Sequence, residues 1–403
     1  MPPLIFRKGL DLKDAVAGQL AESYHSSLVS RVKEDGYRFA SGRLTVHLAR
    51  EFGFCYGVDR AVDYAYQART RFPDRTVFLT GEIIHNPHVN DKLRALGIRF
   101  LSDPGESLDR LAADDVVILP AFGVTIALLA DLSARGVTMV DTTCGSVLNV
   151  WKRVESYARD GFTALIHGKN YHEETKATSS QVNKYSGGKY LVVRDMSEAR
   201  IVCDYIEGKE PGATSREQFL QHFKGKMSPG FDPDRDLERV GVANQTTMLS
   251  GESLAIAGEV GKSMARRWGE GAEVLSQHFR TFDTICSATQ ERQDAVLKLI
   301  AEPLDLMVVI GGYNSSNTTH LAAICNEKVT TYHIEDAACI DVEDGSVRHR
   351  PVGVHSTEQR HERWLPEGRL TIGITAGAST PNNKIGETIE RIAALRGESL
   401  VLT

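Results

Sequence analysis

Short apolar runs alternate with helical patterns along most of this chain, and that alternation restricts the folds open to it more than any other feature. Strands read at TVFLT, DVVIL, VTMVD, TALIH, YLVV, RVGVA, LMVVIGG and LTIGIT. Helical patterns lie between them, for example VNDKLRALG and IALLADLSARG. Strands separated by helices argue for an α/β protein of mainly parallel sheets covered by helices. The most apolar stretch, VVILPAFGVTIALLA at 116–130, is broken by Pro120 and Gly123 and is too short to span a bilayer. It reads as a buried strand, a turn and a helix.

A length of 403 residues allows a large core and more than one domain. The chain is 41% apolar and 25% charged, which excludes a largely disordered protein. A net charge of −6 gives no drive toward nucleic acid or an anionic membrane, so an anionic ligand must be held by local groups. The N-terminus MPPLIFRKGLDLKDAVAGQ lacks the apolar run of a secretory signal, and Asp11 and Asp14 are unlike an organelle transit peptide. The expected home is a reducing bacterial cytoplasm; a plastid stroma is open only if a transit peptide is missing from this chain. The first ~40 residues read as one or two amphipathic helices preceding the core. Two polar excursions, near 207–237 and 342–368, read as solvated surface insertions.

Six cysteines in this length form no dense disulfide framework. Cys203, Cys325 and Cys339 lie inside apolar stretches and read as small buried hydrophobes. Cys55, Cys144 and Cys286 differ. Each ends a short extended stretch and opens a helical run: EFGFC before YGVDRAVDYAYQA, VTMVDTTC before GSVLNVWKRVESYA, FDTIC before SATQERQDAVLKLIAE. A thiol there sits near the positive end of a helix dipole, which favours thiolate. The recurring strand–Cys–helix pattern suggests a threefold internal repeat. Zinc usually takes a fourth ligand and clustered spacing such as C-x-x-C, which is missing here. Three distant thiolates suit an iron–sulfur cluster with one iron not held by protein. Three inert buried thiols remain the competing explanation.

Five further segments follow strand ends, where ligands gather in open α/β sheets. LIHGKNYHEETKATS brings His167, His172, Glu173 and Glu174 together for proton exchange, or else only places carboxylates at a helix start. GEIIHNPHVN carries His85 and His88, better suited to an anion contact or a structural role than to a metal. VIGGYNSSNTTHLAAIC follows a buried strand with Gly311 and Gly312, then Asn314, Ser315, Ser316, Asn317, Thr318 and Thr319. Such neutral donors at a helix start suit a phosphate, although no Walker lysine follows, and helix capping alone needs only one of them. NQTTMLS (Asn244, Gln245, Thr246, Thr247) and ITAGASTP (Gly377, Ser379, Thr380) are similar strand ends.

Taken in order, GFCYGVDRAV, IIHNPHVN, DTTCGSV, YHEETKAT, NQTTML, TICSATQERQDAV, GYNSSNTTHL and TAGASTP resemble the 4-hydroxy-3-methylbut-2-enyl diphosphate reductase (IspH/LytB) family, from about Leu44 to about Arg391. The resemblance implies three pseudo-threefold-related α/β units around one central 4Fe–4S cluster, with one iron not ligated by protein and 3Fe–4S as its oxidised form. The units would span 44–143, 144–285 and 286–403, after an N-terminal helical extension at 1–43. Cys55, Cys144 and Cys286 would be the cluster ligands. Glu174 would be the proton donor, with His172 and Thr246 beside it. His85, His172, Thr246, Ser315, Ser316, Asn317 and Ser379 would bind the substrate, mainly its diphosphate. The implied reaction reduces (E)-4-hydroxy-3-methylbut-2-enyl diphosphate, an allylic diphosphate, to isopentenyl and dimethylallyl diphosphates, the last step of the methylerythritol phosphate route to isoprenoids. Many bacterial members carry a histidine where LPAFGV has Phe122. With the long N-terminus, this is similar to the cyanobacterial and plant-type branch and implies reduced ferredoxin, or flavodoxin, as electron donor. Two other classes stay open from the residues: a redox-neutral hydro-lyase on the same kind of cluster, and a non-catalytic iron–sulfur sensor that binds a diphosphate.

Overall fold

Eight apolar runs legible in the sequence all form strands, and the partners they choose divide the chain into three sheets. The computed structural model describes residues 4–208, 214–353 and 357–400. Parts of both expected insertions, at 209–213 and 354–356, and the extreme termini lie outside the described residues. By internal contacts the chain forms two compact units, one built from residues 122–137 and 143–286, the other from 4–121, 138–142 and 287 onward.

The first of these units holds a four-stranded parallel sheet in the order Phe279–Thr281, Val240–Asn244, Thr163–His167, Tyr190–Val193. Its helices include Gly145–Arg159, Met196–Glu207 and Ser250–Trp268. The core on one side of the sheet gathers Leu165, Val202, Val242, Ile256 and Val260. The 207–237 segment is not merely surface. It contributes the helix Arg216–His222, and Phe219, Phe223, Phe231 and Leu237 are buried in that same core. Its polar composition concealed four large apolar side chains, which together outweigh the charged residues around them.

The other unit contains two five-stranded sheets. One is wholly parallel, ordered Ile5–Phe6, Thr138–Asp141, Val116–Leu119, Val77–Leu79, Arg99–Phe100. The second runs Thr331–Ile334, Leu306–Ile310, Leu370–Ala376, Leu44–Leu48, Arg38–Ser41, antiparallel only at its last pair. Two expectations change here. Leu44–Leu48 was assigned to the first α/β segment, yet it pairs with Leu370–Ala376 near the other end of the chain. Nor is 1–43 simply a helical extension. The helices Lys13–Tyr24 and Ser27–Glu34 form, but flanking residues supply strands Ile5–Phe6 and Arg38–Ser41 to the two sheets. Leu28, Val29 and Val32 are buried in one core, Val16 and Tyr24 in the other. An amphipathic helix buries its apolar stripe wherever a sheet face is open, and here this unit's own sheets provide that face. The 342–368 segment forms a short antiparallel ribbon, Val347–His349 with Gln359–His361, anchored by buried Val347 and Trp364.

Among the described residues no helix is long and apolar enough to cross a membrane.

Candidate active site

In the smaller unit, one residue ties together a carboxylate and the backbone of a cysteine. Thr246 follows the strand Val240–Asn244, and its backbone N–H donates to Glu174 Oε1 at 2.6 Å. Its hydroxyl lies 2.9 Å from Glu174 Oε2, and its carbonyl accepts the N–H of Cys286 at 3.3 Å. Glu174 is only 2% exposed and Thr246 5%. Glu174 sits in the first turn of the helix Glu173–Ser179, capped by His172, whose Nδ1 accepts the Glu174 N–H at 3.1 Å. Because that nitrogen accepts, a neutral His172 carries its proton on Nε2. The sequence left open whether Glu173 and Glu174 serve only a helix start. Burial separates them: Glu173 is exposed, whereas Glu174 is enclosed and aimed at Thr246. Phe122 packs edge-on against the His172 ring, centroids 6.1 Å apart, giving an apolar wall where a histidine would have offered a polar one.

Two of the three singled-out thiols lie in this unit. Cys144 caps the helix Gly145–Arg159 in extended conformation. Ser146, in the first turn of that helix, donates its hydroxyl to Cys286 Sγ at 3.4 Å. Cys286 is therefore brought to the helix terminus that Cys144 caps. Both are half-buried and unbridged, so the pair can accept a metal without unfolding a core. The other cysteines cannot. Cys203, Cys325 and Cys339 are buried, and burial pushes their thiols up to about 11, up to about 12, and upward respectively. A thiol held protonated is a poor ligand.

Beneath Thr246, Gln245 is fully enclosed. Its side-chain oxygen accepts from the Lys169 N–H and the Thr175 hydroxyl, both at 3.1 Å, joining the loop after Thr163–His167 to the loop after Val240–Asn244. His167 is a core residue: Nδ1 meets the Ser253 hydroxyl at 2.8 Å, and burial lowers its pKa to about 4.

The larger unit holds the remaining residues. Cys55 caps the helix Tyr56–Arg71, again in extended conformation. Its N–H donates to the Ala378 carbonyl at 3.2 Å, while the Ala378 N–H donates to Asn317 Oδ1 at 3.0 Å. A single residue thus links the Cys55 turn to the Asn317 loop. Next to it, the Ser379 hydroxyl donates to the His85 carbonyl at 3.2 Å. The His85 ring lies 2.7 Å from Glu82 through Nδ1. Ser315 caps the helix Ser316–Asn326, its hydroxyl accepting from Thr318 N–H at 3.3 Å. The backbone approaches closely here. Gly311 has φ +144°, and a Cβ there would lie 2.5 Å from the Thr380 hydroxyl; one on Gly312 would lie 2.6 Å from the His85 carbonyl. The side-chain nitrogen of Asn317 is buried without a partner. An orphaned buried donor costs about 1–3 kcal/mol, which a bound acceptor recovers. Cys55, His85, Ser315, Ser316, Asn317 and Ser379 therefore belong to one linked set of strand-end loops. Capping explains Ser315 but not Asn317.

Sequence reasoning missed Arg292. It is 3% exposed, and Nη2 donates to the Gly53 carbonyl at 2.7 Å, bracing the turn that presents Cys55. Nothing in TICSATQERQDAV marks that arginine as the inward one, because an arginine on a polar helix pattern reads as solvated.

The sequence profile of the LytB protein family matches residues 46–393. The 4-hydroxy-3-methylbut-2-enyl diphosphate reductase of Synechococcus sp. (strain CC9311) is 48% identical over 392 residues, 96% of this chain and 95% of that protein. The reductase of the same name from Gloeobacter violaceus is 49% identical over 401 residues, covering 97% and 93%. A solved structure of (E)-4-hydroxy-3-methyl-but-2-enyl diphosphate reductase, described as the terminal enzyme of the non-mevalonate pathway, is 28% identical with TM-score 0.52, covering 86% of this chain and 98% of that one. A Plasmodium falciparum reductase structure, 19% identical with TM-score 0.62 over 86% of this chain and 87% of that one, shares the fold. With most of its length matched and both relatives cyanobacterial, this chain belongs to the LytB protein family, on its cyanobacterial side.

Proposed function

We propose that the chain reduces (E)-4-hydroxy-3-methylbut-2-enyl diphosphate to isopentenyl and dimethylallyl diphosphates, the last step of the methylerythritol phosphate route, in a bacterial cytoplasm. The observation that carries the chemistry is the Thr246 junction, with its N–H and hydroxyl on Glu174 and its carbonyl on the Cys286 N–H. It puts a buried carboxyl and a candidate metal ligand two hydrogen bonds apart.

Cys55, Cys144 and Cys286 would hold a 4Fe–4S cluster through three thiolates. When bound, such a cluster supplies a Lewis-acidic iron for the substrate hydroxyl and a route for two electrons. The electrons come from a reduced ferredoxin or flavodoxin. The overall balance is two electrons and two protons in, one C–O bond broken, one C–H bond formed, and one water out.

The chain's own residues handle the protons and the anion. Backbone N–H holds Glu174 Oε1, which leaves Oε2 as the natural site of an acidic proton. Oε2 faces the Thr246 hydroxyl at 2.9 Å, so Thr246 can accept that proton while passing its own onward to a leaving hydroxyl. His172, fixed through Nδ1, keeps Nε2–H as a donor. The orphaned Asn317 amide, with Ser315, Ser316, Ser379 and His85, would take the diphosphate oxygens. Both carboxyl and threonine are nearly enclosed, which excludes competing water.

The test is anaerobic purification with an iron count, followed by turnover of the hydroxylated diphosphate with and without reductant. Three protein-derived sulfur ligands per cluster and product formation strictly dependent on reductant are expected. Turnover without reductant would replace the proposal by a hydro-lyase; ligand binding without turnover would replace it by a sensor.

A further inference from the structure

The ribbon of strands Val347–His349 and Gln359–His361, with the residues beside them, is connected to the Gly311–Asn317 loop by a chain of hydrogen bonds. Arg350 follows the strand Val347–His349, and its own N–H is fixed on the His333 carbonyl at 2.8 Å. Its guanidinium Nη1 donates to the Tyr313 carbonyl at 3.0 Å. The Tyr313 hydroxyl donates to Glu358 Oε2 at 3.0 Å, and Glu358 Oε1 accepts Arg348 Nη1 at 3.1 Å. Behind them, His333 is buried. Its ring stands edge-on to Tyr313, and its Nε2 lies 2.9 Å from the Gly311 carbonyl. A carbonyl only accepts, so Nε2 carries the proton. Every turn of the loop before Ser315 is thus pinned: Gly311 by His333, Tyr313 by Arg350 and Glu358, and Gly312 by the Ser315 N–H at 2.9 Å.

This pinning has a purpose if the loop binds an anion. No lysine or arginine is among the proposed diphosphate contacts, so apart from His85 affinity must come from hydroxyl, amide and backbone dipoles. Neutral dipoles bind anions well only when held in place beforehand, because a loop that orders on binding spends affinity on its own entropy. A cation on the Tyr313 carbonyl also polarises the Tyr313–Asn314 peptide, making the Asn314 N–H a stronger donor.

We propose that Arg350, Tyr313 and Glu358 are positioning residues for diphosphate, with Arg350 serving as the remote cation of an anion site whose direct contacts include no lysine or arginine. The inference rests on the proposed function, which assigns the diphosphate to Ser315–Asn317.

The experiment titrates the anaerobically purified holoprotein with inorganic diphosphate by calorimetry and measures KM and kcat for the substrate. Arg350→Gln should weaken diphosphate binding and raise KM by about tenfold with kcat within twofold, and Arg350→Lys should restore most of the loss. Tyr313→Phe, which removes one oxygen, should give a smaller loss in the same direction. Ser315→Ala gauges the underlying assignment. If it weakens binding while Arg350→Gln and Tyr313→Phe bind within twofold of the parent, the positioning role is overturned. If Ser315→Ala also leaves binding unchanged, the diphosphate lies elsewhere, and the site assignment falls together with this inference. Arg350→Lys as weak as Arg350→Gln overturns the role of charge. Should Arg350→Gln lose its iron or fail to fold, Tyr313→Phe decides alone.

Discussion

Replacing Glu174 by glutamine keeps the shape of the proposed acid and removes its proton. The geometry around it lets the cost of that change be divided. Thr246 N–H reaches Oε1 at 2.6 Å, a bond the glutamine carbonyl still accepts. Thr246 Oγ1 lies 2.9 Å from Oε2, where the glutamine amide can donate, reversing the bond without breaking it. The Thr246 N–H keeps its acceptor and only the Thr246 hydroxyl proton must turn elsewhere, so the stability loss is about 1–2 kcal/mol. The Thr246 carbonyl keeps its place, and with it the Cys286 N–H. What disappears is acid catalysis, which contributes ~10²–10⁴ in rate, or roughly 3–5 kcal/mol of barrier. Glu174→Gln should therefore retain full iron content and substrate affinity yet turn over at least a hundredfold more slowly. Glu173→Gln, at an exposed position of the same helix, should stay within about twofold of the parent. Steady-state rates under a strong one-electron reductant, normalised to iron, provide the measurement. Turnover in Glu174→Gln within tenfold of the parent would refute the assignment and make a water, or the substrate's own diphosphate, the acid. Alanine is the wrong probe, because it strands the buried Thr246 N–H at a cost of about 1–3 kcal/mol and confuses folding with catalysis.

Replacing Cys55, Cys144 or Cys286 by serine should abolish the visible iron–sulfur absorption, whereas serine at Cys203, Cys325 or Cys339 should leave it intact; an absorption band that depends on one of the latter three overturns the ligand set. Asn317→Ala removes an orphaned donor but also the acceptor of the Ala378 N–H, so it should weaken diphosphate binding about 10- to 100-fold in a competition titration and lower stability in the absence of ligand by about 1 kcal/mol. His167 and His333 are both held neutral by burial, with pKa values lowered to about 4. The unfolded chain takes up protons at both sites below ~6.5, so their stabilisation is complete above that pH and is lost as pH falls toward 4. By pH 5 the loss is roughly 2 kcal/mol per histidine, and His333→Gln, which can still donate to Gly311, should shrink the difference between urea midpoints at pH 7 and pH 5. Equal pH sensitivity in variant and parent would contradict the buried-neutral reading.

Much of the site's local setting could be read from the sequence because it depends on neighbours along the chain. A cysteine between an extended run and a helical one becomes a helix cap, and Cys55 and Cys144 do so. Continuous apolar runs become buried strands, and cysteines inside apolar stretches become inert thiols. Glu173 and Glu174 share the first turn of one helix, and burial sets them apart: Glu174 is enclosed, Glu173 exposed.

Partnership is different, because it is set by surfaces that meet across hundreds of residues. Period and propensity announce that Leu44–Leu48 is a strand, yet only packing against Leu370–Ala376 assigns it a sheet. The N-terminal helices read as an appendage because a stripe of apolar residues does not say which core will receive it. Phe219, Phe223 and Phe231 were hidden in a charged segment because burial sums over side chains that sequence separates. The same holds for the chemistry. The sequence by itself determined which residues could ligate, donate and bind. Tertiary structure alone decided that Thr246 would join Glu174 to Cys286, that Ala378 would join Cys55 to Asn317, and that Arg350 would stand behind a loop of neutral donors. A hydrogen bond requires two groups within about 3 Å, and distance along a chain carries no information about distance in space once crossover connections have folded it.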